Sequence, residues 1–206
     1  MDLSDRWPLP RAGSLRDRLL AAYAEPGRGY HDLRHLEEVL DRLDELADHG
    51  VRFDPTTVGL AAWFHDAVYD GAPGAEDRSA QWAETGLPDV GVAPAGVAEV
   101  ARLVRLTERH DPGPDDPDGA ALCDADLAVL ASPPSRYEEY VAGVRREYAH
   151  VPEPLFRAGR AAVLRHLLAR PSLFSTAHGR RSWEAVARAS VSRELAALSG
   201  DAAPAG

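Results

Sequence analysis

AAWFHDAVYD, residues 61–70, is the stretch from which the fold and the functional site are best predicted. His65 and Asp66 stand next to each other inside an otherwise apolar segment. Placing an imidazole and a carboxylate in apolar surroundings costs free energy unless both groups have partners. A divalent metal ion satisfies both groups at once, so the pair predicts a metal site that takes further ligands from elsewhere in the chain.

Helical patterns surround this stretch. Leu36 and Leu40 belong to a series of leucines at helical spacing that predicts a long helix over 32–49. Asp54 followed by Pro55 is typical of a helix start, so we expect the His-Asp pair to lie on the next helix. No segment alternates apolar and polar residues for long enough to predict a strand. Further predicted helices begin at Ser14 and cover residues 76–85, 96–110, 120–130, 135–148, 154–169 and 180–198.

The domain organisation follows from these patterns. We predict an all-α fold, a single compact domain of about eight or nine helices over residues 14–198. Polar residues and prolines predict a flexible N-terminal arm over 1–13, and the end of the chain, 199–206, is predicted to be a disordered tail.

Composition narrows the possible partners. The chain has 206 residues with a formal net charge of −10, and all of its positive side chains are arginines. A negative surface disfavours a stable nucleic-acid complex, because binding phosphates along a duplex needs a positive footprint. Cys123 is the single cysteine, which excludes an intrachain disulfide and a thiolate metal cluster. No run predicts a membrane span or a signal peptide, so we expect a cytoplasmic protein, with oligomerisation left open.

Three other clusters offer ligands to the His-Asp pair. His31 and His35 are four residues apart and share a helix face. Asp124 and Asp126 interrupt the apolar run ALCDADLAVL, and their spacing places them on different sides of a helix, so only one of them can face the pair. We expect that one to be Asp126, with Asp124 as a supporting or capping acid. His110 lies at the end of its predicted helix, beside a polar loop.

In this order the residues resemble the H…HD…D signature of the HD superfamily of metal-dependent phosphohydrolases. HDLRH (31–35) and WFHDAVYD (63–70) are similar to motifs of a subgroup of small bacterial predicted HD phosphohydrolases of about this length. DADLAVL, RREY and LLARPSLFST resemble later segments of the same subgroup. The resemblance covers roughly residues 23–198.

The resemblance implies one divalent metal ion, with Mn, Fe, Co, Ni, Zn and Mg all open as its identity. Its implied ligands are His35, His65, Asp66 and Asp126. Four protein ligands leave coordination positions for water and a substrate oxygen. The implied reaction is cleavage of a phosphoester of a small phosphorylated metabolite, first of all a nucleotide, by a metal-activated water.

Other residues receive roles from the same resemblance. Asp66, Glu76 and His110 are the expected catalytic residues, with Glu76 as the first choice for a general acid or base. His31, Arg34 and His110 are expected to hold the substrate phosphate or to protonate the leaving group. Glu76 and Arg34 could instead make a favourable helix-end contact and a solvated ion pair.

Two other functions remain open at this stage. Some proteins of similar fold hold two irons and activate O₂, but this requires additional histidines, and His110 is the only one between Asp66 and Asp126. The third hypothesis is a non-catalytic, metal-bound domain that senses a nucleotide.

Overall fold

A computed structural model describes residues 2–200, which fold into ten α-helices and three short 3₁₀ helices without any strand. The all-α prediction is confirmed. The α-helices are α1 (Gly13–Tyr23), α2 (Leu33–Asp48), α3 (Pro55–Phe64), α4 (Ala75–Gly86), α5 (Pro94–Leu106), α6 (Pro117–Leu127), α7 (Pro134–Glu147), α8 (Glu153–Ala169), α9 (Ala177–Ser182) and α10 (Glu184–Gly200).

Helix α3 is the central element. All seven residues from Val58 to Phe64 are buried, which is expected of a helix that is apolar on every side. It packs against α2, α4, α5 and α6. Trp63 and Phe64 are fully buried and form the middle of the core, so the end of α3 delivers the following residues into the interior.

Aspartate caps fix the starts of the helices that carry the site. The Asp32 carboxylate accepts hydrogen bonds from the backbone N–H groups of Arg34 and His35 at the start of α2. Asp54 caps α3 in the same way, with Pro55 at the first helical position. Such caps satisfy N–H groups that have no partner inside the helix, and each stabilises its helix by about 1 kcal/mol.

The structure differs from the predicted flexible arm. Trp7 is 6% exposed and packs edge-to-face on Trp63, with ring centroids 5.1 Å apart. Arg6 forms ion pairs with Asp41 and Asp44 of α2. Burial of a large aromatic side chain contributes about 3 kcal/mol, enough to hold this segment on the domain.

Several predicted helix boundaries also differ. The helix predicted over 96–110 ends at Leu106, so His110 lies beyond it. The helix predicted over 180–198 is interrupted at Trp183, whose indole N–H donates to Glu45, so ten helices replace the expected eight or nine. Helix α10 also continues through Ser199 and Gly200, where the sequence predicts a disordered tail. The rest of that predicted tail, residues 201–206, lies outside the described residues. None of the described helices has the length and apolarity needed to cross a membrane.

Candidate metal centre

Four side chains from α2, α6 and the turn after α3 converge near the end of α3. His35 lies in the first turn of α2, His65 directly follows α3, and Asp126 lies in the last turn of α6. Both imidazoles are 1% exposed, and Asp66 is 9% exposed. The structure therefore brings together all four residues that the motif resemblance implied as ligands.

The distances between donor atoms fit one shared cation. His35 Nε2 lies 3.0 Å from His65 Nε2, 3.2 Å from Asp66 Oδ2 and 3.2 Å from Asp126 Oδ1. His65 Nε2 lies 3.1 Å from Asp66 Oδ2 and 3.7 Å from Asp126 Oδ1. Ligand atoms at about 2.1 Å from one ion are about 3.0 Å apart at right angles and about 3.4 Å apart at tetrahedral angles. His35, His65 and Asp126 offer three donor atoms within 4.8 Å of one another, and Asp66 Oδ2 approaches both imidazoles, a donor set that suits a borderline divalent ion.

The end of α3 explains how neighbouring residues reach one point. We predicted that His65 and Asp66 would lie inside the helix, but α3 ends at Phe64 and His65 is its C-cap. The Asp66 N–H donates to the Tyr23 hydroxyl, and the Arg28 guanidinium donates to the carbonyls of Asp66 and Ala67. These contacts hold the turn that follows the helix, so both side chains can face the same space.

The tautomer of His65 is set by the backbone. His65 Nδ1 lies 2.7 Å from the Ala62 carbonyl oxygen, which accepts only if this nitrogen carries the proton. The lone pair of the neutral ring is then on Nε2, the atom that faces His35 and Asp66. Metal-binding histidines commonly have their second nitrogen fixed in this way.

The carboxylates of the cluster are stabilised by nearby positive charge. Burial lowers the pKa of His35, but hydrogen bonds with Asp126 and Asp66 outweigh this effect and raise the pKa to about 10. Burial raises the pKa of Asp66, but the nearby His65 and His31 hold this pKa well below its usual range. Two ionised carboxylates thus share a small buried space. Protons on the imidazoles can balance them, and so can a divalent cation, which imidazoles bind in their neutral form.

His110 supports Asp126 from the far side. Its Nε2 lies 2.7 Å from Asp126 Oδ2, the oxygen that does not face the other two histidines. His110 has a φ of 49°, which is uncommon for a residue other than glycine, and its carbonyl accepts a hydrogen bond from Arg170. Strained backbone of this kind clusters at functional sites. The structure therefore brings His110 to the cluster through Asp126.

His31 is held by an acid that the sequence analysis did not single out. Glu147 Oε2 lies 2.8 Å from His31 Nδ1, while Oε1 accepts the backbone N–H groups of residues 29, 30 and 31. The His31 ring stacks on Tyr69 at a centroid distance of 3.9 Å. Glu147 belongs to the RREY motif, which was the one available signal, whereas nothing in the sequence singled out Arg28 or the Tyr23 hydroxyl.

Other predicted residues lie farther from the donor atoms. The Arg34 guanidinium forms ion pairs with Glu38 and Glu139. Glu76 is half-buried in the first turn of α4, and no hydrogen bond or ion pair within residues 2–200 joins its carboxylate to the cluster. Asp124 accepts the backbone N–H groups of Ser175 and Thr176 at 2.7 and 2.8 Å. This confirms that the two aspartates of the DAD motif face different ways.

A cavity of about 200 Å³ adjoins the cluster, and we call it the inner cavity. His35 and Asp126 form part of its wall. Tyr30 and Ser132 also line it, and their buried hydroxyls have no hydrogen-bond partner in the described part of the chain. Because buried polar groups are nearly always bonded, two such hydroxyls in one wall indicate a place for a polar ligand or water. Arg136 lies at the same wall, bonded to Glu38.

No protein-family model, no curated protein and no solved structure matches this chain. The resemblance to the HD superfamily therefore rests on the motif residues themselves, and the chemistry of the site has to be argued from its own geometry. That geometry is a group of the buried His35 and His65 with the half-buried Asp126, whose donor atoms all lie within 4.8 Å of one another, with the Asp66 carboxylate beside it.

Proposed function

We propose that this protein is a metal-dependent phosphohydrolase that cleaves a phosphoester of a small phosphorylated metabolite, with nucleotides as the first class to test. One observation carries the proposal. The two imidazole nitrogens lie 3.0 Å apart, and each lies 3.1 to 3.7 Å from a carboxylate oxygen of Asp66 and of Asp126, next to a cavity whose wall contains unpartnered hydroxyl groups. The order of the ligand motifs along the chain supports the same class of enzyme.

His35, His65, Asp66 and Asp126 would hold the ion. A bound divalent ion supplies Lewis acidity toward a phosphoryl oxygen and lowers the pKa of water. The chain supplies two imidazoles next to the carboxylates for proton transfer. His110 contacts Asp126, and His31 lies close enough to Asp66 to lower its pKa. General acid–base groups near the reacting atoms contribute about 10²- to 10⁴-fold to a rate. A catalytic role of Glu76 remains a hypothesis, because no hydrogen bond or ion pair joins it to the cluster in the described residues.

Arginines at the inner cavity suit a phosphorylated substrate. Arg34 and Arg136 line this cavity and also an adjoining groove of about 330 Å³, which we call the outer groove. Both arginines are paired with acids, but a guanidinium has five N–H donors and retains some for a phosphate. We propose that the phosphoryl group occupies the inner cavity and the rest of the metabolite extends into the outer groove.

The test combines metal analysis with a phosphate-release assay on a panel of nucleotides and other phospho-metabolites. We expect about one divalent ion per chain and phosphate release from at least one class of substrate. Asp66→Asn removes a ligand charge while preserving shape, so metal content and release should both fall to background. Asp89→Asn is the matched control, because Asp89 is an exposed acid in a 3₁₀ helix remote in sequence from all four ligands.

Other outcomes would reject the hydrolase. Two irons per chain without phosphate release would favour the oxygenase hypothesis. One ion with tight nucleotide binding and no release would favour the non-catalytic sensor. Full activity in Asp66→Asn would show that catalysis occurs elsewhere in the molecule.

A further inference from the structure

A second and larger cavity lies between the end of α2, the loop before α6 and the start of α9. Its volume is about 530 Å³, within the range of small-molecule sites, and we call it the basic cavity. None of the four proposed metal ligands lines it. We propose that the basic cavity is a separate binding site for a small anionic ligand that carries a phosphate or carboxylate group.

The charges of its wall favour an anion. Arg180 and Arg181 line the cavity, and neither forms an ion pair with a carboxylate within residues 2–200. Arg180 is oriented by its Nε–H, which donates to the Phe174 carbonyl, so its terminal N–H groups remain available. Arg180 partly offsets the effect of burial, which raises the pKa of Asp124, but the Asp124 oxygens accept the N–H groups of Ser175 and Thr176. In a chain of net charge −10, two adjacent guanidiniums without a direct ion pair are a suitable pair for phosphate or carboxylate oxygens.

The acid in the wall does not cancel this charge. Asp116 is the one acidic side chain among the described lining residues. Both of its oxygens are engaged, because Arg102 donates to them at 2.7 and 2.9 Å and the Gly119 N–H donates to Oδ1. Its carboxylate is therefore already neutralised by an arginine that lies outside the cavity lining.

Two histidines in the wall offer further hydrogen-bonding atoms. His178 Nε2 lies 2.9 Å from Glu45 Oε1, and His49 Nδ1 lies 2.8 Å from the Glu45 carbonyl oxygen. The two rings are 4.2 Å apart. In the described part of the chain, the second nitrogen of each ring has no hydrogen-bond partner. These atoms can bond to hydroxyl or acidic groups of a ligand.

The wall is held in place before any ligand binds. Asp124 binds the backbone N–H groups of Ser175 and Thr176, and the Thr176 hydroxyl accepts the Gly179 N–H. A Cβ at Gly179 would lie 2.6 Å from Asp124 Oδ2, so the segment and the carboxylate are closely packed. A preformed wall lowers the entropy lost on binding, which favours a specific site.

Calorimetric titration of the purified 206-residue chain tests this proposal, with inorganic phosphate and succinate as separate probes. We expect saturable binding of one probe molecule per chain. Tighter binding of phosphate would identify a phosphoryl ligand, and tighter binding of succinate a carboxylate ligand. Arg180→Gln/Arg181→Gln should weaken binding at least about tenfold, because charge-assisted hydrogen bonds are lost. Arg11→Gln/Arg18→Gln, which removes two exposed arginines elsewhere, should bind like the wild type.

Two further variants separate loss of binding from loss of folding and from binding at the metal cluster. Arg181→Gln alone alters an exposed side chain and is expected to fold, so it replaces the double variant if the thermal midpoint of the latter collapses. Asp66→Asn tests whether the anion binds at the metal cluster instead. Saturable binding that survives in Asp66→Asn and weakens in Arg181→Gln supports the basic cavity. The proposal is overturned if neither probe saturates, if the arginine variants bind normally, or if only Asp66→Asn loses binding.

Discussion

The metal cluster and the basic cavity both include residues of α6, but they carry excess charge of opposite sign. At the cluster, Asp66 and Asp126 share a closed space with two imidazoles. At the basic cavity, Arg180 and Arg181 line an open space whose acid, Asp116, is already paired. Buried charge is stable only with a partner, so the cluster indicates the sign of what it binds, and the excess of arginine indicates the sign at the cavity. The cluster favours a cation, and the cavity favours an anion.

Metal removal should produce the largest stability change. A ligand that binds only the folded state at about 1,000 times its Kd stabilises that state by about 4 kcal/mol. Treatment with a chelator should therefore lower the thermal midpoint by several degrees, measured by calorimetry. Asp66→Asn should show no response to the chelator. An unchanged wild-type midpoint would contradict a structural contribution of the ion and weaken the contrast between the two regions.

Glu147→Ala should have the next largest effect. It leaves three backbone N–H groups and His31 without their acceptor, and the expected cost is about 3 kcal/mol in the free energy of unfolding. Urea titration measures this change. Glu138→Ala is the control, because Glu138 is exposed on the same helix, and it should cost less than about 0.5 kcal/mol. Equal effects of the two variants would mean that the Glu147 contacts do not hold the segment.

Asp124→Ala should separate the two regions most clearly. It removes the acceptor of the Ser175 and Thr176 N–H groups, so the free energy of unfolding should fall by about 2 kcal/mol. The affinity for phosphate should fall several-fold. Metal content should stay at the wild-type value, because Asp124 faces away from the cluster. Loss of metal in this variant would show that the cluster and the basic cavity are not independent.

The pH dependence of metal affinity should be the smallest effect. The pKa of His35 is raised to about 10 without an ion, so protons compete with the metal throughout the neutral range. Affinity should therefore rise with pH, by about tenfold, or about 1.4 kcal/mol, per pH unit for each proton displaced. Competition titrations with a metal-binding dye between about pH 6 and about pH 8, on either side of neutrality, measure the slope of metal affinity against pH. A flat profile would contradict displacement of a His35 proton by the ion.

The sequence predicted the parts of the site that depend on local pattern. Helical periodicity and capping residues identified most helices, and the spacing in the DAD motif correctly placed Asp124 and Asp126 on different faces. The end of α3 was missed, because it is set by Tyr23 and Arg28, which are distant in sequence. Glu147 was missed for the same reason. Its partners lie more than a hundred positions earlier, and no local pattern encodes such a contact.

The N-terminal segment and the basic cavity show a second limit of sequence analysis. Trp7 stands among prolines and polar residues, a composition typical of loose arms, yet it packs on Trp63 in the core. Arg180 and Arg181 resemble ordinary surface arginines until the loop before α6 is placed opposite them. In both cases the deciding contact is tertiary, and only the structure contains it.

The most direct test of the central claim is the metal content per chain. It is measured for the wild type, Asp126→Asn and Asp124→Asn. The two variants make the same chemical change two positions apart on α6. We predict about one divalent ion for the wild type and for Asp124→Asn, and almost none for Asp126→Asn. An ion retained in Asp126→Asn, or absent from all three proteins, would contradict the proposed metal centre.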